Sequence, residues 1–189
     1  MARLKYEEKE DQIVKNVFIV SENTLNLFGK KDLFVLDTSV LIKWFFKDDE
    51  EHTGIADLIL NRYLKNEIGI IIPELAIFEI TNVIKNKIGY INNKNIPSEI
   101  IDRIFNLGII FYINKEILKN ALDIAIRIDE SVYDCIFITT ARYFNAIMIT
   151  DDKSLFLNYS KSKYGMSKKS SNPSISGIDI EIILLQDYS

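Results

Sequence analysis

Cysteine and histidine are almost absent from this sequence of 189 residues, and basic residues do not outnumber acidic ones. The single cysteine, Cys135, excludes a framework of internal disulfides and a cysteine-based zinc site. The single histidine, His52, excludes motifs with two histidine ligands, so any metal ion must be bound by carboxylates. The 23 Lys and Arg against 27 Asp and Glu give a net charge of −4 and a pI near 5.2. A nucleic-acid site would therefore have to be a local feature.

Long apolar runs are missing as well. Residues 1–10 contain no apolar segment of the kind found in signal peptides, and no apolar stretch of about 18 residues follows. The run at 68–72 is ended by Pro73 and Glu74. We therefore expect no membrane span and a cytoplasmic location.

Short apolar runs alternate with segments of helical periodicity along most of the chain. The apolar runs predict strands at 33–36, 69–72, 109–113, 146–150 and 180–185. Helical spacing predicts helices at 39–46, 53–66, 74–88, 97–106, 115–128 and 132–144. This alternation is typical of an α/β fold with a mostly parallel central sheet of about five strands.

The two flanks differ from this pattern. Residues 1–31 begin acid-rich and contain one apolar patch at 17–20, which is compatible with an extra helix, an edge strand or a partly disordered arm. Residues 158–177 are rich in Ser and Lys, which predicts a flexible loop. We therefore predict an N-terminal extension at 1–31 and one domain at 32–189.

Acidic residues follow two of the predicted strands directly. Asp37 comes after 33–36, and Asp151 and Asp152 come after 146–150. Asp134 lies near the start of the helix that leads into the second of these strands. Ligands of parallel sheets bind outside the carboxyl ends of the strands, so these acids are expected to converge there.

Glu79 is a further candidate because its neighbours on the predicted helix, Leu75 and Val83, are apolar. A carboxylate on or beside a buried face needs a compensating partner. Two carboxylates about 5 Å apart repel by roughly 3 kcal/mol at an effective dielectric near 20. Mg²⁺ or Mn²⁺ would relieve this repulsion, because both ions prefer oxygen ligands.

Four short stretches of this sequence resemble the PIN-domain nucleases, and among them the VapC-type toxins of toxin–antitoxin pairs. These stretches are Val-Leu-Asp-Thr-Ser at 35–39, Pro-Glu-Leu-Ala-Ile-Phe-Glu at 73–79, Tyr-Asp-Cys at 133–135 and Ile-Thr-Asp-Asp at 149–152. The family's last two acids are eighteen residues apart, which selects Asp152 over Asp151 as the partner of Asp134. The resemblance covers roughly residues 33–156 and the last strand.

The resemblance implies a three-layer PIN-like fold and a metal-dependent endoribonuclease that cleaves single-stranded RNA through an activated water. It implies an acidic quartet that binds Mg²⁺ or Mn²⁺, with two supporting hydroxyl groups and one weaker candidate ligand. The quartet is Asp37, Glu79, Asp134 and Asp152, the hydroxyl groups belong to Ser39 and Thr150, and the weaker candidate is Asp151. A homodimer and a small antitoxin partner are further implications of the resemblance.

Structural roles compete with these functional ones. Asp37 and Asp134 are also suited to cap helices, and Glu79 could pair with a lysine. Asp151 is expected to be the exposed member of its pair, His52 a surface residue, and the acidic run at 48–51 a solvated loop. Lys85, Lys87, Lys94 and the lysines of 161–169 are the candidates for an RNA path.

Three other functions compete with a toxin. One is an RNA-maturation PIN nuclease without an antitoxin, and another is a PIN-like binding module whose acids bind metal weakly. A phosphatase with an aspartate nucleophile is disfavoured, because Asp37-Thr38-Ser39 lacks the second nearby Asp that would serve as acid and base.

Overall fold

Five strands and seven helices alternate along the part of the chain that the computed structural model describes, residues 31–48, 50–87, 96–166 and 180–189. The strands are β1 (Leu33–Leu36), β2 (Gly69–Pro73), β3 (Ile110–Phe111), β4 (Ile147–Thr150) and β5 (Ile182–Leu184). The helices are α1 (Thr38–Leu41), α2 (Thr53–Leu64), α3 (Leu75–Lys87), α4 (Ile96–Asn106), α5 (Lys115–Ile128), α6 (Val132–Phe144) and α7 (Lys153–Met166). Short 3₁₀ turns follow α1 at Ile42–Trp44 and β5 at Leu185–Asp187.

The five strands form one parallel sheet in the order β3-β2-β1-β4-β5. Consecutive residues of β1, such as Val35 and Leu36, are fully buried, so helices cover both faces of the sheet. The predicted α/β fold with a parallel sheet of about five strands is therefore confirmed.

The order of the strands places the end of β1 beside the end of β4. Leu36 is in register with Ile149, and the backbone N–H of Asp37 donates to the carbonyl of Ile149 at 3.0 Å. Asp37 and the residues that follow β4 therefore meet at the carboxyl edge of the sheet, where ligand sites of such folds lie.

Most predicted boundaries agree with the structure within a few residues, and helices 115–128 and 132–144 agree completely with α5 and α6. β3 is shorter than predicted, with two residues. The predicted helix at 39–46 is divided into α1 and a 3₁₀ turn. Cys135 is fully buried in α6, where burial raises the pKa of its thiol to about 12, so it is a packing residue and not a nucleophile.

The predicted loop at 158–177 is wrong in its first part, because α7 continues to Met166. Leu155 and Tyr159 are one turn apart on this helix, and both side chains are buried. The hydroxyl of Tyr159 also accepts from the backbone N–H of Ile180 at 3.2 Å. Packing against the core therefore outweighs the polar composition of the segment. Residues 167–177, and the predicted extension at 1–31 except for Lys31, lie outside the described residues.

Candidate metal centre

Asp37 is held at the end of β1 by three hydrogen-bond donors. Its Oδ1 accepts from the backbone N–H of Thr38 at 2.7 Å, as expected for the residue that caps α1. Its Oδ2 accepts from the hydroxyls of Ser39 and Thr150, both at 2.7 Å. The residue is only 7% exposed. Asp37 therefore caps α1 and also accepts hydrogen bonds from both predicted hydroxyl groups, those of Ser39 and Thr150.

Glu79 is half-buried on α3 and is joined to the Asp37 loop by Thr38. The hydroxyl of Thr38 donates a short hydrogen bond to Oε2 of Glu79. The backbone N–H of Thr38 contacts Asp37, so this residue bridges the two acids. Thr38 was not among the predicted site residues, although it lies inside the Asp-Thr-Ser stretch.

Asp134 lies in the first turn of α6, whose N-cap is Ser131. The backbone N–H of Asp134 donates to Oγ of Ser131 at 3.0 Å, and the hydroxyl of Ser131 donates to Oδ2 of Asp134 at 2.6 Å. Its side chain is therefore fixed by the residue that begins the helix.

Asp152 is exposed and caps α7. Its Oδ1 accepts from the backbone N–H groups of Ser154 at 2.8 Å and Leu155 at 3.1 Å. Its own backbone N–H donates to Oγ1 of Thr150 at 3.0 Å, and Thr150 in turn contacts Asp37. Thr150 therefore joins the turn after β4 to the carboxylate after β1.

Electrostatics couples these four residues, which we call the acidic cluster. Burial raises the pKa of Asp37 against the effect of its hydrogen bonds, and the charge of Asp134 raises it further. Burial also raises the pKa of Glu79, to which Asp37 and Asp134 add. For Asp134, burial again has the largest effect on the raised pKa, and Glu130 and Asp152 add to it.

Within the described ranges, the charge of the acidic cluster is not balanced by basic side chains. Among the described residues, no Lys, Arg or His forms an ion pair with Asp37, Glu79, Asp134 or Asp152. Carboxylate oxygens without a competing cation are the ligands that Mg²⁺ and Mn²⁺ prefer, so the donor chemistry fits such an ion.

The carboxylates of the acidic cluster are not arranged as a compact set of metal ligands. In the described part of the chain, no group of three or more His, Cys, Asp and Glu side chains has the arrangement needed to hold a metal ion. The acidic cluster therefore offers the right ligand type on several elements without forming a closed ligand set.

Asp151 was expected to be the more exposed residue of its pair, and this prediction is wrong. Its side chain is 16% exposed, whereas Asp152 is exposed. Oδ2 of Asp151 lies 2.9 Å from Nζ of Lys43, and Oδ1 lies 3.1 Å from Nδ1 of His52. His52 is therefore not a simple surface residue, because it contacts this carboxylate across 99 positions of sequence.

Lys43 is the centre of a second group of charges that sequence reasoning missed. Its Nζ also lies 3.1 Å from Glu50, which in turn lies 3.0 Å from Nζ of Lys87. Burial opposes the charge of Glu50, but hydrogen bonds from Lys87 and Lys43 lower its pKa. We call this group the ionic cluster; its members are Lys43, Glu50, His52, Lys87 and Asp151. A sequence signal existed, since Lys43 lies within an apolar segment beside Trp44.

The fold and a match to a known family together define the class of protein. The PIN domain family model matches residues 34–161, and the chain belongs to this family. The predicted resemblance is thereby confirmed. PIN domains are generally nucleases, and PIN nucleases typically use divalent metal ions. No curated protein matches this sequence.

Solved structures with the same fold are similar over most of this chain. FitAcB from Neisseria gonorrhoeae has a TM-score of 0.54 at 13% identity, over 82% of this chain and 99% of that one. VapBC2 from Rickettsia felis, bound to a DNA fragment from its promoter, has a TM-score of 0.54 at 10% identity, over 80% of this chain and 98% of that one. DNA-bound VapBC from Salmonella typhimurium has a TM-score of 0.51 at 15% identity, over 82% of this chain and 98% of that one. At such low sequence identity, the structural similarity shows a shared fold.

None of the helices in the described ranges combines the length and the apolar character needed to cross a membrane.

Proposed function

We propose that this protein is a Mg²⁺- or Mn²⁺-dependent endoribonuclease that cleaves single-stranded RNA at the acidic cluster, and that it is the toxin of a toxin–antitoxin pair. The observation that carries the proposal is the gathering of four carboxylates at the carboxyl edge of a parallel sheet. The raised pKa values of Asp37, Glu79 and Asp134, and the lack of a basic partner for the four acids among the described residues, support binding of a cation here.

Each carboxylate of the cluster has its own support for binding an ion. Asp37 would be the central ligand, since Ser39 and Thr150 fix its Oδ2. Glu79 would bind from α3 while Thr38 holds its other oxygen. Asp134 would bind from the first turn of α6, and Asp152 from the start of α7. Asp151 is occupied by Lys43 and His52, which argues against a role as a ligand.

The chemistry divides between the ion and the chain. When bound, Mg²⁺ or Mn²⁺ would lower the pKa of water and stabilise negative charge on the phosphodiester. The chain's own contribution is to orient the ligands before substrate arrives, so that less reorganisation is needed during the reaction. No side-chain nucleophile is needed, which agrees with the buried and protonated state of Cys135.

The partners we propose are a small antitoxin and a second copy of the chain. The support for an antitoxin is that similar solved structures are described as FitAB and VapBC, and all three of those cited are bound to DNA. Copurification with the product of a neighbouring small gene tests the first partner, and sedimentation of the isolated chain tests the second.

Cleavage of RNA by three matched samples tests the central proposal. Each sample contains a mixed-sequence single-stranded RNA. The first contains the wild-type protein with Mn²⁺, the second the wild-type protein with EDTA, and the third the Asp37→Asn variant with Mn²⁺. We expect cutting only in the first sample. Asp57→Asn is the control, because Asp57 pairs with Lys47 outside the acidic cluster. This variant should cleave RNA as the wild type does. Equal cutting by a folded Asp37→Asn variant would show that the acidic cluster is not the active site.

A binding module that does not cleave RNA is the second candidate, and the open arrangement of the carboxylates favours it. Thermal unfolding with and without Mn²⁺ separates the two candidates. An ion that binds only the folded state raises the melting temperature with concentration. A module without a metal site would give the same melting temperature in Mn²⁺ and in EDTA.

A further inference from the structure

The two hydroxyl groups that hold Asp37 are themselves oriented by one turn of backbone, residues 150–152. The N–H of Asp151 donates to Oγ of Ser39 at 2.9 Å, and the N–H of Asp152 donates to Oγ1 of Thr150 at 3.0 Å. A hydroxyl has one proton, and each of these hydroxyls donates its proton to Oδ2 of Asp37. Two chains of hydrogen bonds therefore run from this turn to the same oxygen atom. Such chains strengthen each of their members.

The turn is anchored through the side chain of Asp151. Nζ of Lys43 approaches Oδ2 at 2.9 Å, and Nδ1 of His52 approaches Oδ1 at 3.1 Å. Lys43 comes from the 3₁₀ turn after α1, and His52 precedes α2. Both oxygens of Asp151 are thus held by residues of the segment between β1 and β2, while its backbone N–H contacts Ser39.

Lys43 and Asp37 are the only charged side chains buried among the described residues, at 3% and 7% exposure. Burying an ammonium group is costly unless it is paired, and Lys43 is paired with Asp151 and Glu50. Asp151 joins the two buried charges, because it contacts Lys43 through its side chain and Ser39 through its backbone. This path from Lys43 to Asp37 contains one ion pair and two hydrogen bonds.

We propose that Lys43 and Asp151 are positioning residues of the acidic cluster. Their ion pair fixes the 150–152 turn, and the N–H groups of the turn aim the hydroxyls of Ser39 and Thr150 at Asp37. Asp151 thus acts on the site through the backbone, not as a ligand. The inference rests on the proposed function, since it takes Asp37 to bind a divalent ion.

Glu50 provides a matched comparison, because it is the other carboxylate partner of Lys43 but lies outside the path to Asp37. Asp151→Ala and Glu50→Ala each remove one carboxylate from Lys43. We expect Asp151→Ala to weaken Mn²⁺ binding about 10-fold to 100-fold, as is typical for residues that orient metal ligands. Glu50→Ala should bind Mn²⁺ as the wild type does. Isothermal titration with Mn²⁺ alone measures both affinities without requiring RNA cleavage.

Kinetics provides a second readout that loss of stability alone would not move. For Asp151→Ala we expect kcat at subsaturating Mn²⁺ to fall while the KM for RNA stays constant, and saturating Mn²⁺ should recover most of the loss. Lys43→Met should behave in the same way if it folds. Lys47→Met is its control, because Lys47 pairs with Asp57 in an exposed position. Circular dichroism at the assay temperature establishes that each variant is folded, and Asp151→Ala decides the outcome if Lys43→Met is not.

The outcomes separate this inference from the proposed function. If the wild type binds Mn²⁺ and the folded Asp151→Ala variant binds it with the same affinity, the positioning role alone is overturned. Equal losses for Asp151→Ala and Glu50→Ala also overturn it, because both would then act through general stability. A wild-type protein that neither binds Mn²⁺ nor cleaves RNA would overturn the proposed function and this inference together.

Discussion

Two groups of carboxylates lie beside each other in this protein and have opposite electrostatic character. In the ionic cluster, Asp151 and Glu50 both face Lys43, and Glu50 also faces Lys87. In the acidic cluster, the carboxylates face hydroxyl and backbone donors, and none of the described basic residues pairs with them. The pKa of Glu50 is lowered, whereas the pKa values of Asp37, Glu79 and Asp134 are raised.

The difference teaches that acidic composition does not by itself mark a site. The run at 48–51 looks more acidic in sequence than any part of the acidic cluster, yet Glu50 from this run is neutralised by two lysines. Asp37 is a single acid that follows an apolar strand, yet it is buried and has no ion-pair partner in the part of the chain that the structure describes. A concentration of charge that the fold leaves uncompensated is therefore the stronger indication of function.

The largest effect is expected from removing Lys43, the buried cation of the ionic cluster. Lys43→Met leaves Asp151 and Glu50 without their shared partner, so we expect a loss of about 3–5 kcal/mol in the free energy of unfolding. Lys47→Met, which breaks an exposed pair, should cost about 0–1 kcal/mol. Urea denaturation measures both. Similar losses for the two variants would mean that Lys43 is not a buried, paired charge.

Neutralising an acid of the acidic cluster should have opposite effects on activity and stability. Glu79→Gln keeps an acceptor for Thr38 but removes a charge, so Mn²⁺-dependent cleavage should fall more than about 100-fold. The metal-free protein should become more stable by about 0.5–2 kcal/mol, because repulsion from Asp37 and Asp134 is relieved.

Glu74→Gln is the matched control for that variant. Glu74 accepts from the backbone N–H of Ile113 at 2.9 Å, and Gln preserves this hydrogen bond. RNA cleavage and thermal unfolding should both stay at wild-type values. A decrease in metal-free stability for Glu79→Gln would contradict the idea that the acidic cluster is strained by like charges.

A smaller effect is expected from removing the hydroxyl that orients Glu79. Thr38→Val retains the backbone contact to Asp37 but loses the hydrogen bond to Oε2 of Glu79, so cleavage should fall about 10-fold. Thr81→Val is the control, because the hydroxyl of Thr81 donates only to the carbonyl of Ile77 within α3. Unchanged cleavage by Thr38→Val would show that the bridge between the two acids has no role in the reaction.

The smallest effect is the dependence of metal-free stability on pH. Within the acidic cluster, the pKa values of Asp37, Glu79 and Asp134 lie above the ordinary 3.8 of Asp and 4.5 of Glu, so this part of the cluster binds protons more readily in the native state than in the unfolded state. Its contribution to stability is fully present below those ordinary values and is lost as the pH rises through the raised pKa values. Glu50 acts in the opposite direction, because its lowered pKa favours the native state above 4.5.

Urea denaturation of the metal-free protein at several pH values checks this balance. Between about pH 4 and 7 we expect the wild type to lose about 1 kcal/mol relative to Glu79→Gln. Mn²⁺ should bind more tightly as the pH rises over the same range, because the ligands must lose protons. Parallel curves for the two proteins would contradict a raised pKa at Glu79.

The predicted fold followed from local patterns that packing did not override. Apolar runs too short for helices became β1, β2 and β4, and the periodicity at 115–128 and 132–144 gave α5 and α6 within the same bounds. The loop predicted at 158 failed because composition was weighed above periodicity. Leu155 and Tyr159 are spaced to bury one face of a helix, and the core accepts them.

The candidate residues came from the same kind of reasoning, supported by the family resemblance. Position after a strand selected Asp37 and the pair Asp151 and Asp152, apolar neighbours selected Glu79, and the family's spacing favoured Asp152 over Asp151. Those arguments use only the order of residues along the chain. They gave the wrong exposure for Asp151, because its exposure depends on Lys43 and His52, which are 108 and 99 positions away in sequence.

The sequence by itself determined the alternation of strands and helices, the restriction of any metal site to carboxylates, and the acids that follow β1 and β4. These properties depend on periodicity, on residue types and on neighbours along the chain. Only the tertiary structure decided which acids are compensated, because the distances between charges are set by elements remote in sequence. Lys43 reaches Asp151 and leaves Asp37 to hydroxyl donors because the parallel order of the sheet brings β1 beside β4.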